Sequence, residues 1–291
     1  MSDFENVLKI YQDRVNQSLN NNLPAGNGSK LVDAVRYSVL NDGKRLRSIL
    51  VYLGSEFGQP STKDTDLTAC AVEFVHCYSL IHDDLPAMDN DDLRRGKPTC
   101  HIEYGEATAI LAGDALQPMA YELICAIEGV SDSIKINMVK KLAVACSVDG
   151  MVEGQMKDIQ SGKEFSLEDL DLMHEQKTGR LIQTSLELGG MLAGVNQKDL
   201  EILKLYGQKI GLAFQIKDDI IDIESTSNES GKPQGSDILN NKLTYPSLVG
   251  VQKSKDRAQQ LASEACEILK PMTLNTKNLR SLTSYLVNRD Y

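Results

Sequence analysis

Apolar residues recur every three or four positions through most of the chain, and this is the period of an amphipathic α-helix. The pattern predicts helices over residues 5–20, 30–41, 45–57, 66–85, 105–127, 132–160, 166–173, 176–194, 198–224, 243–251, 254–270 and 276–287. Segments rich in glycine, proline, serine and asparagine separate several of these helices. We find no convincing alternating run bounded by turn residues, so strands are not expected. Residues 1–291 are therefore predicted to form one all-α domain, a helical bundle.

Two serines mark predicted helix starts. Ser166 is followed three residues later by Asp169, which is typical of an N-terminal cap. Ser254 precedes a charged first turn. These signals support the starts of helices 166–173 and 254–270.

The two most apolar helices end in aspartates. Helix 66–85 carries one polar stripe, formed by Glu73, His76, Ser79 and Asp83. Pro86 ends this helix, because the residue before a proline is disfavoured in the α conformation. Helix 198–224 repeats the design with a second polar stripe, formed by Gly211, Gln215, Asp218, Asp219 and Asp222.

This placement of aspartates is electrostatically unfavourable. A carboxylate at a helix C-terminus loses roughly 0.3–1 kcal/mol, and adjacent carboxylates repel each other. A solvated acidic face would usually intersperse lysine with glutamate, whereas these acids are nearly all aspartate and interrupt core-like sequence. A bound cation would relieve the repulsion, and hard carboxylate oxygens suit Mg²⁺. A calcium-binding EF-hand counted from Asp89 is excluded, because Arg94 and Cys100 stand where glycine and glutamate are required.

Composition limits the classes of partner. Lys+Arg is 31 and Asp+Glu is 41, so the net charge of −10 argues against nucleic acid. We expect no signal peptide and no transmembrane helix, because the chain has neither a basic-then-apolar start nor 18 consecutive apolar residues. The six cysteines form no CxxC pair, which makes a zinc site improbable. Scattered cysteines in apolar runs indicate buried thiols in a reducing cytoplasm.

Three basic segments could bind an anionic substrate. The first contains Gly43, Lys44 and Arg47; the second is Arg94–Arg95; the third comprises Lys177 with Lys232 and Lys242. Guanidinium and ammonium groups are the usual partners of phosphate oxygens. Each segment alone could be a surface cluster, but together with two aspartate clusters they indicate a diphosphate site.

Four motifs carry a family resemblance. The motifs are DDLPAMD at 83–89 followed by RRG, DDIID at 218–222, GKRLR at 43–47 and KTG at 177–179. Together they resemble the trans-isoprenyl diphosphate synthases, in particular the bacterial farnesyl type, over essentially the whole chain. The resemblance implies an all-α isoprenoid synthase bundle around a deep central cavity, usually as a homodimer. It also implies Mg²⁺-dependent head-to-tail condensation of isopentenyl diphosphate with dimethylallyl and then geranyl diphosphate, which gives (2E,6E)-farnesyl diphosphate and diphosphate.

The resemblance also assigns candidate site residues. It implies three Mg²⁺ ions per active site, held by Asp83, Asp84, Asp89, Asp218, Asp219 and Asp222. The isopentenyl diphosphate site would use Gly43, Lys44, Arg47, His76 and Arg95. The allylic site would use Arg94, Lys177, Thr178, Gln215 and Lys232, with Lys242 as a further basic residue. The chain departs from the family pattern at Asp42 and Ser48, where glycine and proline are common.

The expected chemistry is electrostatic. Mg²⁺ with Arg94, Lys177 and Lys232 would stabilise the departing diphosphate. Apolar helix faces would keep the allylic cation dry, while Gln215 and the carbonyls near Lys177 and Thr178 stabilise it by their dipoles. No side chain stands out as the base, and in the family the departing diphosphate takes the proton. His76 is expected to bind phosphate, whereas His82, His101 and His174 are expected to be structural.

Product length is assigned to Tyr78, with the small Ser79 beside it. The resemblance implies that the growing tail points along this helix away from Asp83. Tyr78 lies about 7.5 Å before Asp83 along the helix axis, so its ring is expected to block the cavity floor. With the Pro86–Ala87 insertion, this resembles synthases that stop at fifteen carbons. A twenty-carbon geranylgeranyl diphosphate synthase remains an alternative.

Two further alternatives were weighed against the motifs. A class I terpene cyclase fits poorly, because DDIID lacks the second metal motif of that class. A non-catalytic regulatory subunit usually loses one aspartate cluster, and this chain keeps both. Residues 225–236 are rich in glycine, serine and asparagine, and we hypothesise that they form a mobile lid over bound substrate.

Overall fold

The fold is helical throughout the part of the chain that the computed structural model describes, which is residues 3–26, 28–161, 165–224 and 243–289. The helices of these ranges are α1 Asp3–Asn22, α2 Lys30–Val39, α3 Leu46–Ser55, α4 Thr62–Asp83, α5 Cys100–Tyr104, α6 Glu106–Cys125, α7 Asp132–Cys146, α8 Met151–Gln160, α9 Leu167–His174, α10 Arg180–Leu192, α11 Gln197–Glu224, α12 Tyr245–Val249, α13 Val251–Ile268 and α14 Lys277–Asn288. A π-helical turn, Glu175–Gly179, joins α9 to α10. The predicted all-α fold class is confirmed.

Capping explains several helix boundaries. Ser61 accepts a hydrogen bond from the Asp64 amide at 3.1 Å, so α4 begins four residues before the predicted start at 66. The predicted cap at Ser166 is confirmed, because its side chain and that of Asp169 form a reciprocal capping box. The predicted start at Ser254 is wrong: α13 begins at Val251, and the buried Ser254 hydroxyl donates to the Gly250 carbonyl at 2.9 Å.

One predicted helix is divided in the structure, and one short helix was not predicted. Helix 132–160 breaks between α7 and α8, where a side chain at Gly150 would clash with the carbonyl of Ala145. The unpredicted α5 precedes Gly105, which has φ 85° and separates it from α6, the helix predicted over 105–127. The predicted gap at residues 174–175 is absent. The predicted helices 166–173 and 176–194 form one continuous helical run, which passes through the π-helical turn.

A small hairpin was not predicted. Strands β1 Leu93–Arg94 and β2 Lys97–Pro98 pair antiparallel around a turn in which Arg95 has φ 54° and Gly96 has φ 76°. Two-residue strands are too short to produce a recognisable alternation. The hairpin sets the directions of Arg94 and Arg95 immediately after the first aspartate cluster.

The core surrounds α4 and α11. Helix α4 packs against α1, α2, α3, α6 and α10, while α11 packs against α10, α13 and α14. Glycines allow α3 and α10 to approach closely, because a side chain at Gly189 would clash with the carbonyl of Val51. The aspartate ends of α4 and α11 are therefore held on a rigid helical framework. Among the described helices, none is long and apolar enough to cross a membrane.

Candidate active site

A cavity of about 400 Å³ lies between α4, α8 and the π-helical turn. Its lining includes seven of the residues singled out from the sequence: Arg47, His76, Tyr78, Ser79, Asp83, Lys177 and Thr178. Much of the remaining wall is apolar and comes from Met88, Met151, Val152, Met156 and Ile159. The cavity thus combines a charged end at Asp83 with a hydrocarbon-lined interior.

The charged end is a network around Lys177. The Lys177 ammonium lies 2.5 Å from Asp158 and 3.8 Å from Asp83. The Gln155 side-chain amide donates to Asp83. Sequence reasoning missed Gln155 and Asp158, although their spacing of three on α8 places them on one helical face. The network orients both a candidate metal ligand and a candidate substrate-binding cation.

Asp84 is held by Arg94. The Arg94 Nε atom lies 2.9 and 2.8 Å from the two Asp84 carboxylate oxygens, and Nη2 lies 2.5 Å from one of them. Asp84 is only 3% exposed. Burial raises the pKa of Asp84, and the paired guanidinium opposes this shift. Arg94, predicted to bind the allylic diphosphate, thus has its guanidinium fork on a predicted metal ligand.

The second aspartate cluster is engaged in a similar way. Asp218 accepts a 2.6 Å hydrogen bond from Arg289, whose guanidinium lies 4.1 Å from the centre of the Phe214 ring. Burial raises the pKa of Asp218, and Arg289 opposes the shift. Sequence reasoning missed Arg289, because it lies near the chain end and belongs to none of the four motifs.

Asp219 is the most enclosed carboxylate of this cluster. It accepts a hydrogen bond from the Tyr245 amide at 2.9 Å and lies 3.3 Å from the His174 Nε2 atom. The His174 ring stacks on Tyr245, with ring centres 6.0 Å apart. His174, expected to be structural, therefore supports a predicted metal ligand directly.

The remaining candidate ligands are partly buried. Asp222 lies on α11, as does the candidate substrate-binding residue Gln215. The Asp89 amide donates to the Asp83 carbonyl at 2.9 Å, and this hydrogen bond turns the loop after α4 back toward Asp83. Among the described residues, no three His, Cys, Asp or Glu side chains converge on one metal position. Carboxylate chemistry nevertheless fits a hard cation. Lys232, Lys242 and the proposed lid 225–236 lie outside the described residues.

The first basic segment contacts α4. Arg47 Nη1 lies 3.3 Å from His76 Nε2. Loss of hydration lowers the pKa of Arg47 to about 10, and it lowers that of His76 well below 6.5, with Arg47 and Arg95 adding to the effect on His76. His76 is therefore neutral near pH 7 and can act as a hydrogen-bond partner.

Lys44 borders a neighbouring cavity of about 440 Å³, which Arg289 also lines. Desolvation lowers the pKa of Lys44, and the charge of Arg289 adds to this effect.

The π-helical turn packs closely between α8 and α11. Its backbone hydrogen bonds span five residues instead of four, so the carbonyls of this turn are displaced from α-helical register. A side chain at Gly154 of α8 would clash with the backbone of Lys177. On the other side, a Cβ atom at Gly211 of α11 would lie 2.9 Å from the Gly179 Cα atom. These contacts fix Lys177 and Thr178 at the cavity wall.

Tyr78 lines the apolar part of the cavity. The residue is 6% exposed, and its ring packs edge-on against that of His82, with ring centres 5.9 Å apart. Burial raises the pKa of Tyr78, so the phenol is neutral. Tyr78 therefore presents an uncharged side chain to the cavity.

Comparison with known proteins shows the family of the chain. Residues 29–283 match the family model described as Polyprenyl synthetase. Farnesyl diphosphate synthase of Escherichia coli (strain K12) is 42% identical over 298 residues, which covers 99% of each chain. Geranylgeranyl diphosphate synthase of Cyanophora paradoxa is 41% identical over 99% of this chain and 98% of that protein. The crystal structure of a geranyltransferase from Helicobacter pylori, complexed with magnesium and isoprenyl diphosphate, superposes with a TM-score of 0.85 at 32% identity, covering 99% and 97% of the two chains.

The helical fold, the cavity beside Asp83 and these comparisons together identify the chain as a prenyltransferase. The chain belongs to the polyprenyl synthetase family. The resemblance read from the four motifs is thereby confirmed.

Proposed function

We propose that this prenyltransferase is a farnesyl diphosphate synthase. It condenses isopentenyl diphosphate with dimethylallyl diphosphate and then with geranyl diphosphate, and it releases (2E,6E)-farnesyl diphosphate and diphosphate. The observation that carries the fifteen-carbon product is Tyr78, whose buried ring borders the apolar cavity five positions before Asp83 on α4. The 42% identity to two farnesyl diphosphate synthases adds support.

The residues around the cavity suit an ionisation mechanism. As the allylic C–O bond breaks, its electron pair leaves with the diphosphate, and Lys177 and Arg94 stabilise the growing negative charge. Apolar walls exclude water from the carbocation, and Gln215 with the carbonyls of the π-helical turn stabilises it by dipoles. The isopentenyl double bond then attacks, and the proton lost afterwards goes to the departing diphosphate.

Mg²⁺ is the proposed cofactor, with three ions per site. When bound, it would neutralise diphosphate oxygens and promote departure of the leaving group. Asp83, Asp84 and Asp89 would hold it from α4 and the following loop, and Asp218, Asp219 and Asp222 from α11. The all-carboxylate donor set and the magnesium named in the Helicobacter pylori structure support this assignment. Arg94 and Arg289 would be displaced from their aspartates as the ions bind.

We also propose a homodimer. Apart from the cavity-lining Val152, Met156 and Ile159, most of the exposed large apolar side chains in the described chain fall between residues 102 and 148. Examples are Ile110 and Leu111 on α6, which are 44% and 55% exposed. Apolar side chains concentrated on consecutive helices are typical of a protein–protein interface.

One experiment tests the catalytic proposal. The purified chain is incubated with isopentenyl and dimethylallyl diphosphates and Mg²⁺, and the product length is measured by chromatography. A fifteen-carbon product supports the proposal, and a twenty-carbon main product would replace it with geranylgeranyl diphosphate synthesis, as in the Cyanophora paradoxa relative. No turnover at all would favour the non-catalytic subunit.

The metal is tested in the same assay. Excess chelator should abolish turnover, and activity that persists would refute the magnesium proposal. Asp83→Asn should reduce kcat by about two orders of magnitude or more. The substitution removes the charge of a proposed Mg²⁺ ligand, and the ion is proposed to stabilise the departing diphosphate in the transition state. Asp92→Asn, an exposed aspartate of the same acidic segment, is the matched control and should retain activity.

A further inference from the structure

Arg45 is buried between two candidate substrate-binding residues. It follows Lys44 and precedes α3, on which Arg47 lies, yet it is only 4% exposed. Its backbone adopts the left-handed conformation with φ 52°, which is unfavourable for a residue with a long side chain. A charged residue that is both buried and strained needs specific contacts to hold it.

The Arg45 guanidinium forms hydrogen bonds with three parts of the chain. Arg45 Nε donates to the Asn16 side chain at 2.9 Å, and Nη1 donates to Glu73 at 2.8 Å. Nη2 donates to the carbonyls of Val39 and Asn41, each at 2.9 Å. With these donors committed to the protein and the side chain buried, Arg45 cannot reach a substrate itself.

Glu73 is the ionic partner of Arg45 and lies on the polar stripe of α4. Both side chains of the pair are 1% exposed. Burial alone would lower the pKa of Arg45, but nearby groups, with the Glu73 carboxylate first among them, oppose this and the net pKa is raised. The second Glu73 oxygen accepts from Ser48 at 2.8 Å, and Ser48 is one of the two positions where the chain departs from the family motif.

The segment that Arg45 fixes contacts the other phosphate-binding candidates. Asn41 Nδ2 donates to the Arg94 carbonyl at 3.4 Å, and Arg95 Nη1 donates to the Asn41 carbonyl at 3.5 Å. A Cβ atom at Gly43 would lie 2.5 Å from Arg95 Nη1. One helical turn beyond Glu73, His76 contacts Arg47. Thus α3, α4 and the hairpin meet around residues 39–45.

We infer that Arg45 and Glu73 are positioning residues for the isopentenyl diphosphate site. They set the distances between Lys44, Arg47 and His76 without touching substrate, and this inference rests on the proposed function. A diphosphate bound by side chains from three separate segments requires those segments to be held in register before it arrives. The pair should therefore affect one substrate more than the other.

The test is Arg45→Lys, which keeps the charge and the pair with Glu73 but has all its donors on one nitrogen atom, so it cannot reach all four acceptors of Arg45. We expect the KM for isopentenyl diphosphate to rise about tenfold or more, since small displacements of positioned groups have large effects. The KM for dimethylallyl diphosphate should change less than about threefold, because that site is built from other residues.

Arg14→Lys is the matched control. Arg14 makes a more exposed ion pair with Asp66 at 2.7 Å and donates to the Thr62 carbonyl at 3.1 Å, away from residues 39–45. It should alter melting temperature without changing the ratio of the two KM values. If Arg45→Lys leaves that ratio at the wild-type value, the inference is wrong and the pair is only structural.

A double variant covers the case in which Arg45→Lys does not fold. Arg45→Met with Glu73→Met removes both charges together, and such replacements often preserve stability. A folded double variant with a raised KM for isopentenyl diphosphate supports the inference, and a normal KM overturns it. Failure of the wild-type chain to use isopentenyl diphosphate would instead refute the proposed function, so the two failures are distinguishable.

Discussion

His76 has its protonation state set by its neighbours. Desolvation, followed by the charges of Arg47 and Arg95, lowers its pKa well below the ordinary value of 6.5. In the unfolded chain a histidine takes up its proton near pH 6.5, so below that pH the unfolded state binds more protons than the folded state. The contribution of His76 to folding stability is therefore complete above pH 6.5 and decreases as the pH falls.

This loss of folding stability below pH 6.5 can be measured. We expect the free energy of unfolding of His76→Gln to depend less steeply on pH between 6.5 and 5 than that of wild type, by up to about 1.4 kcal/mol per pH unit. Denaturant titrations at several pH values measure it. His101→Gln, which removes another buried histidine, is the control for packing loss. Equal slopes for wild type and His76→Gln would contradict the prediction.

Tyr78 is the residue at which product length is tested. Tyr78→Ala opens the apolar end of the cavity, so a tail can extend by one isoprene unit, and a twenty-carbon product should appear. Chromatography of products from the same substrates measures this. Tyr104→Ala, whose ring packs on Tyr37 away from the cavity, should leave product length unchanged. If Tyr78→Ala still makes only the fifteen-carbon product, Tyr78 is not the cavity floor.

At the scale of elements, the close approach of α8 to the π-helical turn is sensitive to substitution. Gly154→Ala adds a methyl group that clashes with the Lys177 backbone, so the turn must shift. We expect kcat to fall about a hundredfold, since a displacement of about 1 Å at positioned groups has this effect. Steady-state kinetics with circular dichroism separates this loss from unfolding.

The control for this substitution is Gly26→Ala. There an added Cβ atom would meet only the Asp33 side chain, at 3.8 Å, which is an ordinary contact distance. Activity and melting temperature should both remain near wild type. A Gly154→Ala variant with wild-type kcat would show that the turn tolerates displacement.

Periodicity predicted which elements form, but it did not predict how neighbouring backbones meet. The 3.6-residue pattern located α4 and α11 and placed aspartates at their ends. The break before α8 depends on the contact between Gly150 and the Ala145 carbonyl, which a hydrophobic pattern does not record.

The site shows the same division. Motif spacing identified Asp83, Lys177 and His76, which do line one cavity. The ion pair of Arg289 with Asp218 joins residues 71 positions apart and depends on the tertiary fold. Gln155 and Asp158 carried only an i, i+3 spacing, which many surface helices share.

At the scale of the whole molecule, the apolar surface of α6 and α7 gives a prediction about assembly. Wild type should be a dimer by light scattering coupled to size-exclusion chromatography. Leu111→Glu places a charge on a side chain that is 55% exposed, so it should lower the measured mass toward that of a monomer while retaining helicity. Leu205→Glu, on α11 and 42% exposed, is the control. A monomeric wild type would refute the proposed homodimer.

Charge distribution also operates at this scale. The chain has a net charge of −10, yet Arg47 and Lys177 line the cavity of about 400 Å³, and Arg94 and Arg95 line a second cavity that shares Leu80 with it. Local concentration of cations, with bound Mg²⁺, lets an acidic protein attract an anionic substrate. The acidic remainder of the surface disfavours other polyanions such as nucleic acid.

The π-helical turn has a further consequence, which concerns insertion and deletion. A turn that closes over five residues accommodates one more residue than an α-helix, without rotating the helices on either side. The run from Leu167 to Leu192 can therefore be regarded as an ordinary helix that has gained a single residue at 175–179. Removing Gln176 should restore regular hydrogen bonding while leaving α9 and α10 packed.

Such a shortened chain should be at least as stable as wild type in thermal unfolding, yet nearly inactive, because the carbonyls of Lys177 and Thr178 return to helical pairing. Deleting Lys253 from the regular helix α13 instead should rotate one half of that helix and destabilise the fold. An active Gln176 deletion would show that the irregular turn is dispensable. The extra residue is thus expected to lower the stability of the fold and to be retained because catalysis requires it.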